Sequence, residues 1–432
     1  MSPQTCALGV LFLLICAVSH AAVLPPDKPG MAVRVEAGEY TVRGQIVKVP
    51  KTVELAIPAV DKSIVKGEEH VMSDEQAATW HLGTALKGTL GPVDIYTRLP
   101  YAIDPVSVTV HSEKAVYEEN KDYSLDHDWG GISRIETGSI PKDGKVYVDY
   151  EVYLQRVDAI QVSAKGAVSV KKGKAASVNA EIPEADKGCT AIANVYIPYR
   201  TAAVTAENIY PLPSRDLAWQ SFIKVSGRKY LSNTLGLLKS GKPVTVVCWG
   251  DSVTSGGSPS SHDKCYVELF RAHLKQAYPN AKITLINAGI GGSNTDSRRG
   301  GYDTEVLAHN PDLITVEYVN DAGMSAEQIK ANWSEFITRA RAKNPKVEFI
   351  LLTPHYIVPQ WMGSYKDSIP AMRRSAWVNK VALGDTTNVW AHLRDIGMPY
   401  MTLEANGINH PNDLGHEFFT TTLMRLLSPK SE

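Results

Sequence analysis

Apolar and β-branched residues follow two rhythms in this sequence, and the rhythm changes once. From about residue 23 to 212 they alternate with period two. Val146, Val148, Tyr150 and Val152 share one face of Val146-Tyr-Val-Asp-Tyr-Glu-Val-Tyr153; Ala32-Val-Arg-Val-Glu36, Val106-Ser-Val-Thr-Val110 and Val168-Ser-Val170 alternate likewise. Asp143-Gly144, Lys165-Gly166 and Lys172-Gly173 punctuate these runs as hairpin turns. Many short strands with turn punctuation predict an all-β, sandwich-like region over 23–212. The pattern allows one sandwich, or two smaller ones with a break near 156–165.

Beyond about residue 215 strands alternate with helices. Apolar runs predict strands at 244–249, 282–287, 312–318, 347–353 and 380–385. Val267, Phe270, Leu274 and Ala277 form one face of a helix over 264–277. Ile329, Trp333, Phe336 and Ala340 do so over 326–342, and Ser325 with Gln328 supplies a capping box at its start. Repeated β-α units predict an α/β domain over 213–432, a parallel sheet with helices on both faces. Pro211-Leu-Pro213 reads as the linker. Sheets of this kind bind ligands at the carboxyl ends of their strands.

The N-terminus adds an address. Ala7 to Val18 is an unbroken apolar stretch, and Ser19-His-Ala21-Ala22 offers small residues for cleavage. The stretch is too short to span a bilayer, which takes about 20 residues. Residues 1–22 are therefore expected to be a signal peptide, although no Lys or Arg precedes the apolar run, and the mature protein is expected to be secreted. Cys6 and Cys16 leave with it. The remaining Cys189, Cys248 and Cys265 make no disulfide framework; Cys248 reads as a buried small hydrophobe, and a Cys248–Cys265 bridge would require strand and helix to meet closely.

A net charge of -1 over 432 residues argues against a nucleic-acid or anionic-membrane partner, which calls for a basic face. No His/Cys cluster has zinc-ligand spacing, so neither metal nor cofactor is expected. Asp122, Asp126 and Asp128 lack the glycine and terminal glutamate of a calcium loop and read as turn residues. The sequon Asn332-Trp-Ser334 falls inside the predicted helix.

Reactive side chains gather at the predicted strand ends. Val244-Thr-Val-Val-Cys-Trp-Gly-Asp-Ser252 delivers a serine off a buried strand. Asn287-Ala-Gly-Ile-Gly-Gly-Ser-Asn-Thr295 follows the second strand, its glycines allowing backbone to approach a substrate. Val316-Glu-Tyr-Val-Asn-Asp321 ends the third strand on an amide, and Asn409-His-Pro-Asn-Asp-Leu-Gly-His416 precedes the last helix. Serine needs a histidine to take its proton, and the tetrahedral oxyanion needs fixed N–H donors. Ser252, His410, Gly292 and Asn320 meet that requirement. Asp251 reads as a brace for the turn. His355 reads either as a pocket wall or as a structural histidine, and Trp249 and Trp361 as core rather than as a sugar-binding floor.

These four blocks, in this order, resemble the SGNH hydrolases, also called GDSL esterases, over roughly residues 240–428. The resemblance implies a flavodoxin-like three-layer αβα domain with Ser252 as nucleophile, His410 as base, and Gly292 and Asn320 as oxyanion donors. Two departures stand out. The third block usually reads Gly-x-Asn-Asp, and here Tyr318 replaces the glycine. An Asp usually stands three residues before the histidine, where this chain has Gly407. Glu404, Asp413 or a main-chain carbonyl could orient His410 instead; some two-domain carbohydrate esterases of this superfamily work as Ser-His dyads with a backbone oxygen in the acid's place. The resemblance thus implies a secreted serine esterase acting on a small-molecule or polysaccharide ester, with a carbohydrate O-acetylesterase leading. The alternatives are an acyl transferase and a catalytically inactive glycan-binding or surface-interaction protein on the same fold.

Overall fold

The computed structural model describes residues 21–92 and 97–429; residues 1–20 of the expected signal peptide lie outside them. The α/β part is built on six strands: β1 (Lys224–Ser226), β2 (Pro243–Gly250), β3 (Lys282–Gly289), β4 (Leu313–Glu317), β5 (Glu348–Leu352) and β6 (Ala382–Asp385). They lie in the order β1-β6-β5-β4-β2-β3, all neighbours parallel except β1, which runs antiparallel to β6. Every residue of β4 and β5 is buried, and so are most of β2, as expected of strands covered on both faces. The covering helices include α1 (Ser252–Ser255), α2 (Tyr266–Ala277), α3 (Ala326–Lys343), α4 (Tyr365–Val378) and α5 (Asp413–Leu427). α2 packs on α5 and α3 on α4, completing a three-layer αβα architecture. The expected capping box is present: Ser325 accepts from the Gln328 N–H, and the Gln328 side chain accepts from the Ser325 N–H.

Residues 23–211 form antiparallel sheets around two main apolar clusters. Val146, Val148, Tyr150 and Val152, all buried, belong to one; Ile160, Val162, Val195 and Ile197 belong to the other. The chain passes between them at Leu154-Gln155, where Lys145–Tyr153 ends and Arg156–Ser163 begins. One turn expectation holds: Lys165-Gly166 joins Arg156–Ser163 to its antiparallel neighbour Val168–Lys171. Two do not. Asp143-Gly144 precedes Lys145–Tyr153, whose partners are the distant strands Lys62–Val71 and Ile103–His111. Lys172-Gly173 makes no hairpin either. The Gly173 N–H binds Asp158 Oδ1 at 2.9 Å, and a Cβ there would lie 1.9 Å from the Val157 carbonyl oxygen. Close backbone approach, not reversal, accounts for that glycine.

Cys189, Cys248 and Cys265 are free thiols, so the Cys248–Cys265 bridge is not formed; Cys248 is fully buried. Among the described residues no helix is long and apolar enough to cross a membrane.

Candidate active site

β2 ends on Gly250, a position only glycine can fill: a Cβ would stand 2.0 Å from Thr254 Oγ1 and 2.1 Å from the Glu317 carbonyl oxygen. Asp251 follows and caps the one-turn helix α1, accepting from the Val253 N–H at 3.1 Å and from the Asn320 N–H at 3.0 Å. It braces the turn, as its position suggested. Ser252 is the first residue of α1. Beneath it lies an acidic layer. Burial pushes Asp251 up to about 7 and Asp321 up to about 6, and holds the Glu317 carboxyl well above the usual carboxylate range. Asp321 accepts from the Thr295 N–H and from Trp333 Nε1, both at 2.8 Å, and so ties the glycine loop to α3.

His410 arrives from the loop before α5. Its Nε2 lies 2.8 Å from Ser252 Oγ, and its Nδ1 lies 3.0 Å from Ser258 Oγ. Asn406 shapes this loop: its Oδ1 accepts from the N–H groups of Ile408, Asn409 and His410 at 3.0, 2.9 and 2.9 Å. The His410 carbonyl accepts from the Ala405 N–H at 2.7 Å, closing the turn. His355 is fully buried below it, with Nε2 3.0 Å from the Asn409 carbonyl oxygen and 3.6 Å from the Glu404 carboxylate. That makes His355 a support for the histidine loop rather than a wall of the cleft. Burial raises the Glu404 pKa, with His355 pulling against it. Asp413 bonds the Ser260 N–H and Lys264 Nζ, each at 2.7 Å, and these partners hold its carboxyl below the usual range against the opposing effect of burial.

Gly292 adopts φ +71°, which an L side chain rarely tolerates. Asn320 donates one Nδ2 hydrogen to the Ser293 carbonyl at 2.9 Å, leaving the second for the cleft it lines. Ser252, Gly292, Asn320 and His410 line one cleft of about 430 Å³ with Trp80, Thr97, Trp361 and Asn406. Tyr318, where the resemblance leads one to expect glycine, has φ -138° and ψ 101°, extended backbone open to any residue. Its ring is buried edge-on against Trp249, centroids 5.0 Å apart.

The remaining residues singled out in the sequence separate cleanly. Trp249 is core, whereas Trp361 is 37% exposed and lines the cleft, contrary to expectation. His416 sits in the first turns of α5; its Nδ1 accepts from the Tyr266 N–H and its Nε2 donates to the Gly257 carbonyl, both at 3.2 Å. Burial pushes its pKa down to about 4. Asp126 accepts from the N–H groups of Asp128 and Trp129 in its own turn, and Asp122 from those of Glu118 and of Ser139, seventeen residues on. Asn332 is buried in α3 and donates to Thr295 Oγ1 at 3.1 Å, so the sequon asparagine is committed to packing. Sequence reasoning missed Ser258, Asn406, Trp80 and Thr97. Asn406-Gly407 and Gly256-Gly-Ser-Pro259 carried turn signals, but neither signal says what the turn meets.

No curated protein matches the chain in sequence. Among solved structures the chain is similar to a two-domain esterase active on acetylated mannans, at 19% identity and TM-score 0.42; the match covers 49% of this chain and 56% of that one. The chain thus spans little more than half the length of that esterase. It is also similar to a catalytic mutant of an acetylxylan esterase from Geobacillus stearothermophilus, at 18% identity and TM-score 0.37, over 43% of this chain and 95% of that one. Residues 248–418 match the model of the GDSL-like Lipase/Acylhydrolase family. The likeness to the GDSL-like Lipase/Acylhydrolase family is thus confined to residues 248–418, the part of the chain that contains Ser252, Gly292, Asn320 and His410.

Proposed function

We propose that the protein is a serine esterase in which Ser252 attacks the ester carbonyl and His410 takes the Oγ proton on Nε2. The 2.8 Å contact between these atoms is the observation that carries the reading. The N–H groups of Ser252 and Gly292 and the free Nδ2 hydrogen of Asn320 hold the oxyanion. The C–O bond to the alcohol then breaks, and the alcohol leaves with the Nε2 proton. Water repeats the sequence on the acyl-enzyme: His410 accepts its proton, the acid departs, and Ser252 regains its hydrogen.

The substrate we propose is an acetyl ester on a polysaccharide. Support comes from the mouth of the cleft, where two half-exposed indoles, Trp80 and Trp361, stand among Thr97, Asn406 and Asn409. Flat apolar faces beside hydrogen-bonding groups suit a sugar ring. Export to where such polymers lie is part of the proposal and rests on the apolar run Ala7 to Val18.

Fluorophosphonate labelling read by mass spectrometry tests the chemistry. An adduct on the Ser252 peptide, lost in His410→Ala, is the expected result. An unlabelled Ser252 in folded protein overturns it in favour of a glycan-binding protein on the same fold. Release of acetate from acetylated glycans, absent in Ser252→Ala, tests the substrate.

A further inference from the structure

The ring of His410 has two ends, and the mechanism above uses only one. For Nε2 to receive the Ser252 proton, the hydrogen of the neutral imidazole must sit on Nδ1. Nδ1 faces Ser258 Oγ at 3.0 Å. With Ser252 Oγ–H donating to Nε2, the hydroxyl oxygen of Ser258 is placed to accept the Nδ1–H of that tautomer.

Ser258 is held in place at some cost. Its φ is +69°, a left-handed conformation that serine seldom adopts, and Pro259 after it favours extended backbone instead. Neighbouring bonds fix the loop on both sides. The Gly257 N–H binds the Ser252 carbonyl at 2.7 Å, His416 Nε2 donates to the Gly257 carbonyl at 3.2 Å, and the Ser260 N–H binds Asp413 Oδ1 at 2.7 Å. The imidazole lies against this loop so closely that a Cβ on Gly257 would stand 3.0 Å from Nδ1. A strained residue that its surroundings hold in place, with its side chain on the base, is where strain and function coincide.

We propose that Ser258 is a positioning residue: its Oγ accepts the Nδ1–H of His410 and holds the ring in the tautomer that can deprotonate Ser252. The proposal rests on Ser252 and His410 being nucleophile and base. It also makes one short segment, α1 and the turn after it (residues 252–258), the source of both the nucleophile and the group that orients its base.

Ser258→Gly removes the hydroxyl while relieving the positive φ, so it folds at least as well as the parent. On p-nitrophenyl acetate we expect kcat to fall about tenfold, the size of one hydrogen bond, with KM within about twofold. Ser258→Ala should do the same. Imidazole ¹⁵N spectra should show His410 as the Nδ1–H tautomer in the parent and as a mixture in Ser258→Gly. A kcat within twofold of the parent, or an unchanged tautomer, overturns the proposal. Ser252→Ala and His410→Ala are run alongside. If they are inactive while Ser258→Gly is fully active, only the positioning role fails; if they retain activity, the reading of the site fails first.

Discussion

Gly407 and Leu99 meet where the β-rich region packs on the histidine loop: a Cβ on Gly407 would stand 2.6 Å from Leu99 Cδ2, and the glycine's φ is +70°. Val178 crowds the same spot at 3.1 Å. The position where the resemblance leads one to expect an acid is thus occupied by a contact between two parts of the chain. Restoring the acid should harm this protein. Gly407→Asp is expected to cost about 2–4 kcal/mol, from left-handed strain and overpacking together, and to gain no activity. Urea unfolding and esterase assays check both halves; a stable, faster variant sinks the argument.

Asn320 offers the cleft one amide hydrogen while its other binds the Ser293 carbonyl. Asn320→Ala should lower kcat by about 10²–10³ with little change in KM, the signature of a donor used chiefly in the transition state. A loss confined to KM would assign Asn320 to ground-state binding.

His416 predicts a pH dependence of stability. Its folded pKa of about 4 lies below the ordinary histidine value, so as pH falls the unfolded chain takes up the proton first. Stability is then complete above about pH 6.5 and is lost progressively down to about 4, by roughly 3 kcal/mol. Asp251 and Asp321, pushed up by burial, act in the opposite sense, their contribution falling as pH rises from about 4 through their folded values near 7 and 6. The difference between parent and His416→Gln isolates the histidine. Between pH 7.5 and 4.5 the parent should lose stability relative to the variant; a difference that stays constant with pH would sink the assignment.

Glu404 and Asp413 flank His410 in sequence, yet their nearest polar partners are His355 for one and Ser260 and Lys264 for the other. Asp413→Asn keeps an oxygen for the Ser260 N–H and should leave kcat within about fivefold, since a half-exposed ion pair is worth little. Glu404→Gln should likewise keep most activity. A drop near a thousandfold in either would make that carboxylate the partner of the base.

Trp80 and Trp361 should separate large substrates from small ones. Trp80→Ala and Trp361→Ala are each expected to raise KM for an acetylated oligosaccharide by up to about tenfold, the scale of one stacking contact. Hydrolysis of p-nitrophenyl acetate should be unchanged. Equal losses on both substrates would point to damage in the cleft as a whole.

The sheet could be read from the sequence because its central strands are buried on both faces, which leaves runs of apolar and β-branched residues such as Val244–Trp249 and Leu313–Val316. Ser325 with Gln328 announced α3 through a purely local pair of bonds. The hairpin expectations at Asp143 and Lys172 failed because a turn signal reports a change of direction and not which strands pair afterwards. The four blocks around Ser252, Gly292, Asn320 and His410 were visible as loops at strand ends. Ser258 was not, because its contact with His410 spans 152 positions and nothing in Gly-Gly-Ser-Pro foretells it. Trp80 and Thr97 were hidden for the same reason: only the packing of one region on the other brings them to the cleft.

That packing divides the labour of the molecule. One wall of the cleft is laid down early in the chain, by Trp80 and Thr97, while Ser252 and His410, to which we assign the proton transfer, come from beyond residue 250. Evolution or an engineer could then exchange the early wall and retune which polymer is admitted, with the hydroxyl and imidazole left as they are. Excising the later half by itself should leave a cruder catalyst, still able to cleave a small activated acetate but with little preference among larger molecules.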